Sequence, residues 1–184
     1  LGNFRGASVT IPHKVAAIPF LDHVETTAQK IGAINTIVAE KGELTGYNTD
    51  ATGALRALKE AEVELTGKRI VVLGSGGAAR AIAFALAAES GAGKLTVLGI
   101  EDVERTRLAQ DIRSTTVVTV EDSYLDESTL RRVLPAAHIL IHCTPVGMSP
   151  KAEVTCVPAS LLHPDLVVMD IVYNPHETRL LKDA

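Results

Sequence analysis

A short β-branched run, Arg69 to Leu73, leads without interruption into Gly74-Ser75-Gly76-Gly77-Ala78-Ala79-Arg80, and this glycine turn opens an Ala-rich stretch from Gly77 to Ser90. Few folds accept such a segment. A strand that turns at glycine straight into a helix is a βα unit, and the G-x-G-x-x-A spacing gives each small residue a task. The first glycine permits the tight turn, and the second lets backbone approach a pyrophosphate. Ala79 lets the helix lie close to the sheet while its N-terminal amides face the anion. Glycines in loops usually serve turns alone; here the strand before and the Ala-rich helix after favour a dinucleotide site.

The rest of the chain repeats the alternation. Strands are expected at Leu95 to Leu98, Thr116 to Val120, His138 to Cys143 and Leu166 to Ile171, with helices at Val103 to Arg113 and Ser128 to Val133. Strand runs without clean polar alternation, separated by helices, indicate a parallel sheet covered on both faces. The expected class is therefore α/β, a Rossmann-like doubly wound parallel sheet. The first residues read differently, as part of a smaller α/β unit. Ala7 to Thr10 suggests a short strand, Lys14 to Leu21 and Glu25 to Ile31 suggest helices, and Asn35 to Ala39 with Leu44 to Tyr47 suggests a hairpin. Ala54, Leu55, Leu58 and Ala61 share one face of a helix over Asp50 to Ala61 that links the two units. The expected division is 1–61 and 62–184, with the boundary near Glu62 to Lys68.

With 184 residues and 46% hydrophobic content the chain can bury a sizeable core. Its net charge of −4 and scattered Lys and Arg provide no footprint for nucleic acid or an anionic membrane, so the expected partner is a small molecule. No apolar run reaches the roughly 20 residues of a membrane span, and Leu1-Gly2-Asn3-Phe4-Arg5 lacks a signal peptide's architecture, which suggests a cytoplasmic protein. The absence of an initiator Met and the helix-like ending Leu180 to Ala184 suggest a piece of something longer. Cys143 and Cys156 form no C-x-x-C pair and read as reduced thiols.

Chemistry enters through side chains outside the glycine turn. Gly6-Ala7-Ser8-Val9-Thr10-Ile11-Pro12-His13-Lys14 places a lysine just inside a helix start, and Asn48-Thr49-Asp50 places a carboxylate at another. Reducing a carbonyl requires a proton donor for the developing alkoxide, and a partly desolvated lysine beside a carboxylate can supply it. Each residue alone is ordinary, a solvated lysine and a helix cap. After the second strand of the sheet comes Leu98-Gly99-Ile100-Glu101-Asp102. An acidic residue there hydrogen-bonds the ribose 2′-OH of NAD and repels the 2′-phosphate of NADP, whereas Asp102 equally well caps the next helix, and Arg105 and Arg107 follow closely. His138 and His142 lie four apart, which on a strand separates them by roughly 13 Å, so no metal is expected.

The glycine turn, the Lys14 and Asp50 segments, Gly32-Ala33-Ile34-Asn35-Thr36, Thr144-Pro145-Val146-Gly147-Met148 and Asp170-Ile171-Val172-Tyr173-Asn174-Pro175 occur in the order and spacing of the shikimate dehydrogenase family, which the whole chain resembles. The resemblance implies NADP-linked interconversion of 3-dehydroshikimate and shikimate, on the route to aromatic amino acids. It implies that Thr10, Lys14, Asn35 and Asp50 line the substrate pocket in 1–61 and that Tyr173 approaches from 62–184. Lys14 would shuttle the proton, held and tuned by Asp50. Gly74, Ser75, Gly76, Gly77 and Ala78 would cradle the pyrophosphate, with Thr144 and Ile171 near the nicotinamide.

Departures carry implications too. Gly99-Ile100-Glu101 stands where the family commonly has Asn-Arg-Thr to grip the NADP 2′-phosphate, so Glu101 and Asp102 leave NAD(H) open beside NADP(H). His142-Cys143-Thr144-Pro145 stands where Asn-Ala-Thr-Ser is common, and Ser8 where Asn is frequent. The resemblance also implies truncation at both ends, without the opening Ser-x-Ser loop or the final helices, and such a domain can form half of a fusion to dehydroquinate dehydratase. The alternatives are an NAD-preferring quinate/shikimate dehydrogenase and a non-catalytic effector-binding relative; intact Lys14 and Asp50 argue against the second. Oligomeric state is not legible.

Overall fold

A computed structural model describes residues 4–184; Leu1, Gly2 and Asn3, where the leader-free reading of the N-terminus begins, lie outside the described residues. Two sheets form. The first contains β1 (Gly6–Ser8), β2 (His23–Val24), β3 (Thr36–Glu40) and β4 (Glu43–Tyr47) in the order β1-β3-β4-β2. β3 and β4 make the expected hairpin, closed by Glu40 opposite Glu43 over Lys41 and Gly42, both at positive φ as a two-residue turn demands. Between β2 and β3, α1 (Thr26–Ile31) starts where the Glu25 carboxylate accepts from the Thr27 and Ala28 N–H groups and stops at left-handed Gly32.

The second sheet contains β5 (Arg69–Leu73), β6 (Lys94–Gly99), β7 (Thr119–Tyr124), β8 (Ile139–His142) and β9 (Val167–Asp170), all parallel, in the order β7-β6-β5-β8-β9. This is the expected doubly wound arrangement. Side chains alternate between two cores: Ile70 and Val72 enter one, and Val71 and Leu73 the other. The first core lies under α3 (Gly77–Glu89) and α4 (Asp102–Thr115). α2 (Asp50–Glu60) packs there as well, burying Ala51, Ala54 and Leu58, so the linking helix shares its core with the second sheet. The alanines of α3 make this close approach possible. The second core, with Leu130, Leu134 and Leu140, lies toward α5 (Glu127–Val133) and α6 (Arg179–Asp183).

Three local expectations are corrected. Lys14 to Leu21 is not an α-helix: Lys14 to Ala17 are turns, followed by a 3-10 helix at Ile18–Phe20. Ala17 N–H bonds the His13 carbonyl, but the Lys14 carbonyl accepts from Ile34 N–H at 2.8 Å, so a tertiary bond takes the place of the next helical one, and Pro19 supplies no donor to continue. Lys14 is therefore anchored to the loop after α1 rather than to a helix start. β1 ends at Ser8 rather than Thr10. β7 occupies 119–124 rather than 116–120, because Glu121 and Asp122, charges that read as a strand end, are neutralised at the sheet edge by Lys94 and by Arg105 and Arg113.

Candidate active site

The chain order reverses between β5 and β8, and crevices at such switch points, beyond the carboxyl ends of the strands, are where open α/β sheets bind ligands. Here Gly74, at φ 110, comes so close to the next strand that a Cβ would stand 3.1 Å from the Cys143 carbonyl oxygen. A cavity of about 740 Å³ opens above this point, a volume suited to a small ligand or cofactor. Its wall includes Gly74, Ser75, Gly76, Gly77 and Ala78, with Lys14 on one side and Thr144 on another. A Cβ on Gly76 would meet nothing within 4 Å, and no side chain caps the N-terminus of α3. Unspent amides and open space over the turn suit the pyrophosphate of a dinucleotide.

Lys14 sits against this turn. A Cβ on Gly77 would stand 2.8 Å from Lys14 Cβ, so glycine there gives the lysine stem its seat. Lys14 Nζ donates to Asp50 Oδ2 at 2.5 Å, with the side chains 14% and 25% exposed, so the pair is largely withdrawn from solvent yet reachable. Asp50 is the first residue of α2, where the helix dipole favours a carboxylate, and its N–H donates to Asn48 Oδ1. Asn48 is itself buried and donates to the Ala33 carbonyl. Asn35 spends both polar atoms of its side chain on this corner. Its amide nitrogen donates to Asp50 Oδ1 and Thr49 Oγ1, and its oxygen accepts from Thr49 N–H and the Thr36 hydroxyl. Asn35 therefore orients Asp50, and has no donor left over for a ligand.

At the β6–α4 turn the cavity wall includes Ile100, Glu101, Glu104 and Arg107 but not Asp102. Asp102 instead pairs with Arg105 at 2.6 Å. Arg105 also donates to the Gly99 carbonyl and to Asp122, so its guanidinium is committed inside the protein. Arg107 remains exposed. On the other side of the switch point, His142 and Asp170 are register partners on β8 and β9 and bond at 2.9 Å. Burial opposes the imidazolium, but the hydrogen bond to Asp170 and the neighbouring Cys156 overcome it and lift the His142 pKa to about 9. The Cys143 thiol is pushed up, chiefly by burial, and stays neutral.

The structure thus brings Lys14, Glu101, Thr144 and the five residues of the glycine turn to one cavity, with Asp50 and Asn35 immediately behind Lys14. Thr10 and Tyr173 are exposed outside its wall, Tyr173 strongly so, and Ile171 packs against the first core. Sequence reasoning passed over Arg80, which donates to the Ile31 carbonyl and pairs with Asp111, stapling α1 to α4 across α3. It noted His142 only as a departure from a common asparagine. No spacing marks its bond to Asp170, because a register between parallel strands is a tertiary fact. Among the described residues no three His, Cys, Asp or Glu side chains are grouped to hold a metal, and no helix is long and apolar enough to cross a membrane.

Comparisons with known proteins place the chain among dehydrogenases of similar fold. Residues 1–37 match the family described as shikimate dehydrogenase substrate binding domain. A shikimate dehydrogenase (NADP(+)) of Moorella thermoacetica is 45% identical over 181 residues, covering 98% of this chain and 61% of the relative. The crystal structure of shikimate 5-dehydrogenase from Listeria monocytogenes in complex with shikimate and NAD superposes with a TM-score of 0.85 at 36% identity, covering 100% of this chain and 65% of that one. Quinate dehydrogenase from Corynebacterium glutamicum in complex with NAD gives 0.85 at 34%, covering 99% and 64%. The chain thus spans a little under two thirds of the length of these relatives.

Proposed function

We propose that this chain, 45% identical over 98% of its length to a shikimate dehydrogenase, is a member of that family and carries the Lys–Asp pair and the dinucleotide site of an NADP(H)-linked reduction of 3-dehydroshikimate to shikimate. The observation that carries this reading is the Lys14–Asp50 contact at the edge of the same cavity that the glycine turn lines. Residues 1–61 then form the substrate-binding part and 62–184 the cofactor-binding part. The bound nicotinamide supplies the hydride. Lys14 Nζ supplies the proton to the oxygen that was the carbonyl, and in the oxidative direction it takes the proton back. Asp50 keeps the ammonium aimed between turnovers, and Asn35 keeps Asp50 aimed. Thr10 and Tyr173 are proposed to meet substrate from the rim, and Ile171 and Thr144 to flank the nicotinamide. Oxidation of reduced NADP on addition of 3-dehydroshikimate tests the reading; a wild-type chain that binds the acid without turnover would favour an effector-binding module. The full open reading frame tests for an attached dehydroquinate dehydratase.

The seat of Lys14 provides a second test. In Gly77→Ala the new methyl meets the base of the lysine stem rather than its flexible tip, so the ammonium must move. Displacements of this size cost up to ~10²-fold in rate, and a drop of about 10-fold or more in kcat with modest change in thermal midpoint is expected.

A reading with NAD(H) as cofactor is favoured by one observation: Glu101 lines the cavity where a 2′-phosphate would sit, while Arg105 is spent on Gly99, Asp102 and Asp122. A carboxylate there accepts from a ribose hydroxyl and repels a phosphate. Under this reading kcat/KM is higher with NADH than with NADPH, and Glu101→Gln improves the NADPH value by about 10-fold, the worth of a charge contact of ~1.4 kcal/mol. A wild-type preference for NADPH that Glu101→Gln leaves unchanged would rule it out.

A further inference from the structure

The His142 ring is held between two oxygens. Nδ1 lies 2.9 Å from Asp170 Oδ1 and Nε2 lies 2.5 Å from Thr144 Oγ1, with the His142 and Asp170 side chains 2% and 0% exposed. Asp170 acts as an acceptor throughout, taking the Val172 N–H on Oδ1 and the Thr178 hydroxyl on Oδ2. The ring must therefore present a proton at Nδ1. Thr144 Oγ1, for its part, already accepts from Val146 N–H at 3.2 Å.

A hydroxyl has one proton and two lone pairs, so its remaining capacity can be counted. When Nε2 also carries a proton, it donates to Thr144 and both lone pairs are filled. The hydroxyl proton is then free for the cavity that Thr144 lines. When Nε2 is bare, the hydroxyl proton turns back to the ring, and the cavity meets only a lone pair. The state of a buried ring thus sets the polarity of a group on the cavity wall. The titratable groups facing the ring are the Asp170 carboxylate from β9 and the Cys156 thiol from the loop before the 3-10 helix at Ala159–Leu161; Cys143, the next residue on the chain, is a neutral thiol. The carboxylate, with Cys156 beside the ring, holds the second proton in place.

We propose that His142, held by Asp170, is a positioning residue that fixes the Thr144 hydroxyl as a hydrogen-bond donor into the cavity, where it meets an acceptor oxygen of the bound dinucleotide. The proposal rests on the dinucleotide reading of the glycine turn. An asparagine at position 142 would be an amide with no proton to gain or lose, so the device requires the imidazole that stands there.

The test is direct binding of NADH and NADPH, followed by nicotinamide fluorescence from about pH 6 to about pH 10, on the wild-type chain, Thr144→Val, His142→Asn and the double variant. Wild-type affinity should be flat to about pH 8 and weaken about tenfold as the ring loses its proton near pH 9, the loss of one hydrogen bond. Thr144→Val keeps the side-chain shape; it should be about tenfold weaker at neutral pH and lack the step. His142→Asn should also lack the step, and the double variant should bind no more weakly than Thr144→Val alone. A purely structural role for His142 would lower the thermal midpoint without touching the step. Wild-type affinity in Thr144→Val, or a persisting step in His142→Asn, overturns the proposal and leaves the dinucleotide reading intact. A wild-type chain that binds neither dinucleotide at any pH overturns both.

Discussion

Under the proposed function, Lys14→Met is expected to lower kcat for 3-dehydroshikimate reduction by about 10³-fold while changing KM little, since a positioned general acid contributes roughly 10² to 10⁴. Methionine keeps the aliphatic stem that packs on Gly77 and removes only the ammonium that meets Asp50. The fold should survive, because Asp50 retains its bonds to Asn35 and to the start of α2. Circular dichroism checks that point, and steady-state kinetics with saturating cofactor checks the rate. A variant turning over within about fivefold of wild type would remove Lys14 from the chemistry and return it to the solvated lysine that it resembles in isolation. Asp50→Asn should fall between the two, because the ammonium remains but the carboxylate oxygen that aims it is gone.

Asp170→Ala is expected to destabilise the chain by about 3–5 kcal/mol, the usual result of leaving a buried charge without its partner. Asp170 receives three hydrogen bonds, from His142, Val172 and the Thr178 side chain that caps α6, so its loss reaches β8, β9 and α6 together. The same pair sets a pH dependence of opposite sign at its two ends. His142 has a folded pKa raised from 6.5 to about 9; its contribution is complete below the unfolded value and is lost as pH rises through about 9. Asp170 is lowered, since its hydrogen bonds outweigh burial; its contribution is present above the ordinary value of 3.8 and is lost as pH falls through the depressed one. The alkaline limb is on the order of 3 kcal/mol, from a shift of that size in a buried group. Urea unfolding at about pH 6 and about pH 10 should therefore show a lower midpoint at the higher pH in wild type, and a much smaller difference in Asp170→Ala. Equal pH dependence in both proteins would assign the alkaline loss to other groups.

The parallel sheet could be read from the sequence because a buried strand and a helix differ in length and punctuation, and β5 with its glycine turn contains both signals within a few residues. Glycines and alanines announce close approaches through what they lack, so the cavity floor was legible before any contact was known. β7 runs past Val120 through Glu121 and Asp122, which find cations on β6 and α4 that no local window contains. The helix expected after Lys14 does not form because the Lys14 carbonyl accepts from Ile34 N–H, a bond no local spacing marks.

The sequence by itself determined the α/β order of elements, the glycine turn that opens α3, and the two residue types capable of moving a proton. These are local properties of spacing, side-chain size and chemistry. Only the tertiary structure decided that Lys14 rests on Gly77 and pairs with Asp50, that Asn35 is spent on orienting that pair, and that Glu101 rather than Asp102 faces the cavity. It alone placed the His142 ring between Asp170 and Thr144. The physical reason is common to all four: each depends on a direction in space or a register between strands, and neither is encoded in the distance between residues along the chain.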